Sequence, residues 1–144
     1  MYFIHGLPGQ TVETAKATVE VIERSAVIGV EKVTVYRFQP LPMSAFGDFP
    51  RAPPAYRDPA SLMIWIAANR VNSQLKFKLV NKVVDAIVVK SQFKGRRFIA
   101  YPFRHGPVML IRNERGAEKF IGKVVRVRIT RVVSDRVVEC VIVD

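Results

Sequence analysis

Five short runs rich in β-branched residues fill residues 80–144 and constrain the fold more than any other feature of the sequence. The runs read VVDAIVV, RFIAYPF, PVMLIR, KVVRVRITRV and RVVECVIVD, and short turns containing KG, HG, ERG and SD separate them. Compact strands with turns at this spacing are typical of a small barrel. We therefore predict a five-stranded, OB-like antiparallel β-barrel over residues 80–144.

The fourth run alternates most clearly between apolar and basic residues. Val125, Val127 and Ile129 fall on one face of a strand, and Arg126 and Arg128 fall on the other. An inward row of valines with an outward row of guanidinium groups suits a barrel wall that faces RNA. A strand that is merely solvated shows the same pattern, so both interpretations stay open.

The start of the chain has the pattern of a βαβ unit. A short strand, YFIH, leads through a GLPGQ turn into a helix whose apolar residues recur every three or four positions, with Thr11 as its N-cap. A second strand is predicted from Lys32 to Phe38. A crossover of this length predicts two parallel, neighbouring strands in residues 1–45, and their faces and edges need covering.

A proline-rich segment, residues 46–59, is predicted to be a linker. Asp58 and Pro59 then provide an N-cap and a first helical residue. A connecting helix is predicted over residues 60–79, with Ile64, Ala68 and Val71 in its core stripe. The predicted class is thus α+β: a partial α/β region, a long helix and a barrel.

The charge of the chain is concentrated in its second part. The chain has 23 Lys and Arg residues against 12 Asp and Glu residues, and the whole excess of +11 lies in residues 60–144. This distribution favours a polyanionic partner for that part, and RNA is the partner that we predict. We expect no membrane-spanning segment and no signal peptide, and a cytoplasmic location.

Aromatic and basic residues interleave in the stretch KSQFKGRRFIAYPFRHG, residues 90–106. In RNA-binding proteins, basic side chains contact phosphates, and exposed aromatic rings stack on unpaired bases. Phe98 is the exception in this stretch, because we predict that it lies in the core. A hairpin with core aromatics and solvated charges is the alternative. The predicted RNA-binding residues, including three from the later strands, are Lys90, Phe93, Lys94, Arg96, Arg97, Tyr101, Arg104, Arg126, Arg128 and Arg131.

Two parts of the sequence resemble known protein families. The run YFIHGLPGQTVETAKATVEVIE, followed by VTVYRFQPLP, resembles the late strands of a radical SAM barrel of the methylthiotransferase-like branch. The later run KFIGKVVRVRITRVVSDRVVECVIVD resembles a TRAM domain, a small β-barrel of RNA-modifying enzymes with a Gly-x-x-Val-x-Val-x-Ile signature. Together the resemblances cover nearly all of the chain, in the order in which those enzymes carry the two parts.

The resemblance implies S-adenosylmethionine and a [4Fe–4S] cluster in the full-length family, but no cofactor held by this chain alone. Family members bind the cluster through Cys-x-x-x-Cys-x-x-Cys, and this chain has a single cysteine, Cys140. Gly6, Pro8, Gly9 and Gln10 would edge the S-adenosylmethionine pocket, although Gln10 stands where the family has Glu. A turn that needs glycine and proline only for its geometry is the alternative.

The resulting hypothesis is that the chain is the RNA-binding C-terminal region of a radical SAM/TRAM protein, which holds tRNA for modification and has no catalytic residues of its own. One alternative is a stand-alone TRAM-type RNA-binding module. The other is an interaction subunit that completes a split barrel with a polypeptide carrying the N-terminal radical SAM half. No metal site is predicted, because His5 and His105 lack companions at ligand spacing.

Overall fold

The computed structural model describes residues 1–92, 96–112 and 117–143, without the side chain of Ala117. The chain forms two compact units, a first unit of Met1–Asn72 and a second unit of Ser73–Asp144. The described residues contain two α-helices and seven strands, so the α+β class is confirmed.

The first unit begins with the predicted βαβ arrangement. Strand β1 (Tyr2–His5) pairs in parallel with β2 (Thr34–Arg37), and helix α1 (Val12–Ser25) connects them. The N-terminus of α1 is closed by two reciprocal bonds, in which Thr11 and Thr14 each donate a backbone N–H to the other's hydroxyl oxygen. The predicted parallel pairing and the predicted N-cap are therefore both confirmed.

The proline-rich segment differs from the predicted linker because it packs within the first unit. Ala52 is buried, its N–H donates to the carbonyl of Phe38 over 3.2 Å, and its own carbonyl accepts from Arg37. Phe46 meets Phe38 and Phe49 edge to face. The division between the compact units falls instead after Asn72, inside the second helix.

Helix α2 (Pro59–Phe77) follows a 3-10 turn (Ala55–Arg57) and starts as the sequence predicts. The Asp58 carboxylate accepts from the backbone N–H of Ser61 over 2.9 Å and also from the Ser61 hydroxyl, which satisfies the free end of the helix. Ile64, Ala68 and Val71 are buried, in agreement with the predicted core stripe.

The second unit is a closed sheet of five strands: β3 (Val83–Gln92), β4 (Arg97–Pro102), β5 (Val108–Arg112), β6 (Val124–Val132) and β7 (Val137–Ile142). The strands pair in the order β3-β4-β5-β7-β6, and β6 pairs back onto β3. Only β5 and β7 are parallel among these pairs. The prediction of an all-antiparallel barrel was wrong here, because an odd number of strands cannot alternate in direction around a closed ring.

The interior of the closed sheet is an apolar core to which each strand contributes. Phe98, predicted as a core residue, is fully buried. The buried cluster consists of Ala86, Val88, Phe98, Ala100, Met109, Ile111, Val125, Val127, Ile129, Val138 and Cys140. Burial raises the pKa of the Cys140 thiol to about 12, so this cysteine stays protonated and serves as a small core residue.

Candidate nucleic-acid interface

Strand β6 presents its arginines to the outside of the closed sheet, as its alternation predicts. Val125, Val127 and Ile129 are buried, whereas Arg126 and Arg128 between them are exposed. The Nε of Arg126 lies 3.9 Å from a carboxylate oxygen of Asp85, its register partner on β3. That ion pair is exposed, so it leaves Arg126 accessible to a ligand.

Strands β4 and β5 extend the basic surface around the sheet. Arg97 at the start of β4 lies opposite Arg112 at the end of β5, so two guanidinium groups come from neighbouring strands. Tyr101 lies further along β4 and is 46% exposed. Arg112 was not among the predicted RNA-binding residues, because nothing in the sequence indicates that it lies beside Arg97.

Two β-bulges turn basic side chains outward. Strict alternation from the buried Val88 would direct Lys90 inward, and alternation from the buried Ile129 would do the same to Arg131. The register of β3 shifts between Val88 and Lys90, and that of β6 shifts between Ile129 and Arg131, so both basic residues are exposed instead. An inserted residue reverses the alternation of a strand, and bulges re-aim side chains in this way.

Glu139 on β7 lies between two arginines. Its side chain is buried, and its two carboxylate oxygens accept from Arg112 Nε over 3.0 Å and from Arg112 Nη2 over 3.2 Å. The Nε of Arg131 donates to the same carboxylate over 2.5 Å. Hydrogen bonds from Arg112 hold the pKa of Glu139 below its ordinary value despite burial, so the group is an anion at neutral pH.

Two of the remaining predicted residues of the basic stretch, Arg96 and Arg104, lie in connections between strands. Arg96 and Arg104 are exposed, but Phe93 and Lys94 fall outside the described residues. Phe103, which is 75% exposed beside Arg104, is an aromatic candidate that the sequence interpretation left out of its RNA-binding set. Its place directly after a β-strand is the only sequence signal that could have indicated its exposure.

The basic residues are not distributed evenly around the closed sheet. Before its bulge, the outward positions of β3 carry Val83, Asp85 and Ile87, which are all exposed, and Lys90 is the basic residue that the bulge turns outward. The outer sides of β4, β5 and β6 carry five arginines, which we call the arginine face: Arg97, Arg112, Arg126, Arg128 and Arg131. Guanidinium groups grouped in this way can contact successive phosphates of a polyanion.

The glycine turn after β1 is explained by contacts within the first unit. Gly6 has φ +73°, and a Cβ built on it would lie 2.4 Å from the Cβ of Ala52. The N–H of Gly6 donates to the Gln10 side chain over 2.9 Å, and Gln10 in turn reaches the Ser61 hydroxyl. Pro8 and Gly9 complete the turn. The assignment of these residues to an S-adenosylmethionine pocket stays a prediction.

His5, at the end of β1, is buried, and its Nδ1 has no hydrogen-bond partner among the described residues. Burial lowers its pKa, and the neighbouring Arg37 lowers it further. Within the described ranges no three His, Cys, Asp or Glu side chains lie close enough together to hold a metal ion.

Two longer proteins are similar to the chain over more than nine-tenths of its length. No family model matches the sequence. An uncharacterized protein of Methanopyrus kandleri is 42% identical over 138 residues, which cover 95% of this chain and 26% of the relative. An uncharacterized protein of Methanocaldococcus jannaschii is 39% identical over 132 residues, covering 91% and 25% respectively. The chain therefore spans about a quarter of the length of these relatives.

One solved structure, a multidomain protein with nucleic-acid-binding domains from Streptococcus pneumoniae, matches part of the chain. It is 22% identical, with a TM-score of 0.39, and the match covers 46% of this chain and 23% of that one. A likeness at this level supports no argument about fold or function. Separately, no helix in the described ranges combines the length and apolar composition that crossing a membrane requires.

Proposed function

We propose that the second unit binds single-stranded RNA through the arginine face. The observation that carries this proposal is the uneven charge of the closed sheet, with five outward arginines on β4, β5 and β6, whereas the outer side of β3 before its bulge is apolar and acidic and only Lys90 after the bulge is basic. A surface evolved only for solubility has no need to separate its charges in this way. A polyanion that crosses β4, β5, β7 and β6 in turn can contact arginines from three of these four strands.

Two features favour RNA over a smaller anion. Exposed Tyr101 lies on the same strand as Arg97, and aromatic rings beside cations suit unpaired bases beside phosphates. Sequence-specific RNA recognition mostly uses such unpaired bases. The second and third strands of five-stranded OB-type barrels form the face that binds oligonucleotides, and β4 and β5 are the second and third strands of this sheet.

We further propose a role in tRNA modification, which rests on the resemblance to the radical SAM/TRAM enzymes. In that setting the chain would be the part of a longer protein that holds tRNA, while the remainder supplies S-adenosylmethionine and the iron–sulfur cluster. The relatives, about four times longer than this chain, leave room for such a remainder. The chain alone would then bind RNA without modifying it.

Fluorescence anisotropy with a labelled single-stranded RNA of about 20 nucleotides tests the binding proposal. The double substitution Arg126→Ala and Arg128→Ala is expected to lower the affinity at least tenfold at 100 mM salt, because two phosphate contacts are lost. The matched control changes Lys16 and Arg24, two exposed basic residues of α1, to Ala and should leave the affinity unchanged. Equal losses in both variants would mean that only total charge matters, and the proposal would fail.

A second function, as an interaction subunit, is favoured by one observation in the first unit. Tyr2 and Tyr36 stack with ring centroids 5.9 Å apart, and together with Ile4 they remain exposed on one face of β1 and β2. Parallel sheets are normally covered on both faces. We propose that this face packs against further parallel α/β structure from the portion of the longer relatives that this chain does not span.

Co-expression of the chain with that portion of the Methanopyrus kandleri relative tests the second function. The two polypeptides should co-purify, and the substitutions Tyr2→Lys and Tyr36→Lys should abolish the association by placing charge in an apolar contact. Substitution of Arg126 and Arg128 serves as the control and should have no effect. Failure of the wild-type chain to co-purify would contradict this second function.

A further inference from the structure

The buried carboxylate of Glu139 is unusual for its place in the sheet. Val138 and Cys140 on either side of it point into the core, so Glu139 points outward, where an acidic residue would normally be solvated. Only 2% of the residue is exposed, because Arg112 from β5 and Arg131 from β6 lie over it. The two arginines remain about 60% exposed themselves.

Among the bonds that join described residues, much of both guanidinium groups stays unused. Within this set Arg112 commits Nε and Nη2 to the carboxylate, and Arg131 commits Nε alone. Each guanidinium carries five N–H donors, so Nη1 of Arg112 and both Nη groups of Arg131 keep donors for another acceptor. One carboxylate against two guanidinium groups also leaves a net charge of +1 in the cluster.

The backbone around the cluster is arranged to bring these three side chains together. Strand β7 lies between β5 and β6, so Glu139 has one arginine on each side. Arg131 faces Glu139 because of the bulge in β6, and the Thr130 hydroxyl beside that bulge donates to the Glu139 carbonyl over 3.0 Å. A side chain held in one position loses less entropy when it binds a ligand.

We propose that Arg112, Glu139 and Arg131 form a preorganised site for one backbone phosphate of the bound nucleic acid, with Glu139 as a positioning residue. The proposal rests on the proposed RNA binding and adds a site within it. Two guanidinium groups fixed on the strands to either side of β7 each offer a planar fork of donors, which can bind two oxygens of a phosphate at once. Glu139 does not touch the phosphate but restricts where the two guanidinium groups can lie.

This proposal makes a prediction opposite in sign to simple electrostatics. Removing a negative charge beside a polyanion site should strengthen binding if Glu139 only reduces the positive potential. If Glu139 positions the arginines, its loss should weaken binding although the net charge rises. Asp85 provides the matched control, because it also pairs with an arginine of the same face but is exposed.

The experiment compares Glu139→Gln with Asp85→Asn by anisotropy with the single-stranded RNA used above. We expect Glu139→Gln to lower the affinity about fivefold and Asp85→Asn to raise it about twofold, with circular dichroism showing that both are folded. Affinity equal to or above that of wild type in Glu139→Gln would overturn the phosphate site while leaving RNA binding intact. Absence of binding by the wild-type chain would instead refute the proposed function itself.

If Glu139→Gln does not fold, a second variant tests the preorganised phosphate site. Changing Arg112 and Arg131 together to Lys keeps both charges but removes the planar fork of donors. We expect a loss of affinity of about tenfold, with an unchanged dependence of binding on salt because the number of charges is the same. Wild-type affinity in this double variant would show that two point charges suffice and would overturn the preorganised site.

Discussion

The two units of the chain differ in whether their sheets leave strand edges unpaired. The second unit closes its five strands into a ring, so every strand is paired on both sides, and its outer surface is free to carry charge. The first unit has two parallel strands that pair only with each other within the described residues, and one of their faces exposes Tyr2, Ile4 and Tyr36. A closed sheet is complete by itself, whereas an open parallel pair is typical of a larger layer.

The charges follow the same division. Residues 1–72 hold seven Lys and Arg residues against six Asp and Glu residues, and residues 73–144 hold sixteen against six. An apolar exposed face suits a protein partner, and a basic exposed face suits a polyanion. We therefore propose different partners for the two units, and the following experiments test this difference.

The largest expected effect is the dependence of RNA affinity on salt, which sharpens the polyanion assignment of the second unit. If the arginine face contacts about five phosphates, each contributes about 0.7 to the log–log slope for a single strand. The affinity should then fall about a hundredfold between 50 and 200 mM monovalent salt. Anisotropy measures this affinity. A nearly constant value over this range would contradict the proposal that the second unit binds a polyanion through its arginines.

The second prediction concerns the stability of the first unit. Buried Asn72 on α2 accepts from the Val33 N–H over 2.8 Å and donates to the Val33 carbonyl over 2.7 Å. Asn72→Ala leaves both backbone groups without partners and should lower the free energy of unfolding by about 2 kcal/mol. Urea denaturation followed by circular dichroism measures this, with Gln74→Ala, at an exposed position of α2, as the control.

RNA binding provides the contrast for that substitution. Asn72 makes its bonds within the first unit, so the folded Asn72→Ala chain should bind RNA as tightly as wild type. The affinity is measured without urea, at a temperature at which the variant is fully folded. A loss of affinity under these conditions would show that the units do not have separate roles. Equal stabilities of the Asn72 and Gln74 variants would contradict the importance of the Val33 bonds.

The third prediction distinguishes exposed aromatic residues of the two units. Tyr101→Ala should lower the affinity for single-stranded RNA about tenfold, since stacking on one base contributes about 1–3 kcal/mol. Tyr101→Phe keeps the ring and should bind normally. Tyr36→Ala, which removes a ring of the first unit from a residue that is 54% exposed, should also bind normally. Equal losses of RNA affinity in Tyr101→Ala and Tyr36→Ala would contradict the assignment of RNA binding to the second unit.

The smallest expected effect is a pH dependence of stability that arises from His5. Burial and Arg37 hold the pKa of folded His5 below its ordinary value of about 6.5, so the unfolded chain takes up the proton first as the pH falls. The free energy of unfolding should therefore decrease below about pH 6.5 and level off below the folded pKa. Thermal melting at pH 7.5 and 5.5 tests this, and His5→Gln should reduce the difference; an unchanged difference would contradict the assignment to His5.

Much of the fold could be predicted because local patterns determine it. The alternation in β6, the three- and four-residue spacing in α1, and the Asp58–Pro59 helix start each depend on residues close in sequence. The remaining features of the fold depend on pairing between strands that are far apart in sequence. The parallel pair of β5 and β7 follows from closing an odd ring, and no local signal in either strand indicates its direction.

The candidate interface was predicted less completely, for physical reasons that particular residues illustrate. Arg126 and Arg128 follow simple alternation, whereas the outward positions of Lys90 and Arg131 depend on bulges that no sequence pattern announces. Arg112 became a candidate only when strand register placed it beside Arg97 and Glu139. Likewise, nothing in the sequence indicates that the polar side chain of Asn72 is buried and bonded to Val33.

The most direct test of separate roles for the two units is a titration of the isotopically labelled chain with single-stranded RNA, followed by amide chemical shifts. The account predicts that the largest shifts occur in β4, β5 and β6, and that residues 1–58 do not respond. Shifts of similar size in α1, β1 and β2, or shifts centred there, would contradict the assignment of the nucleic acid to the arginine face.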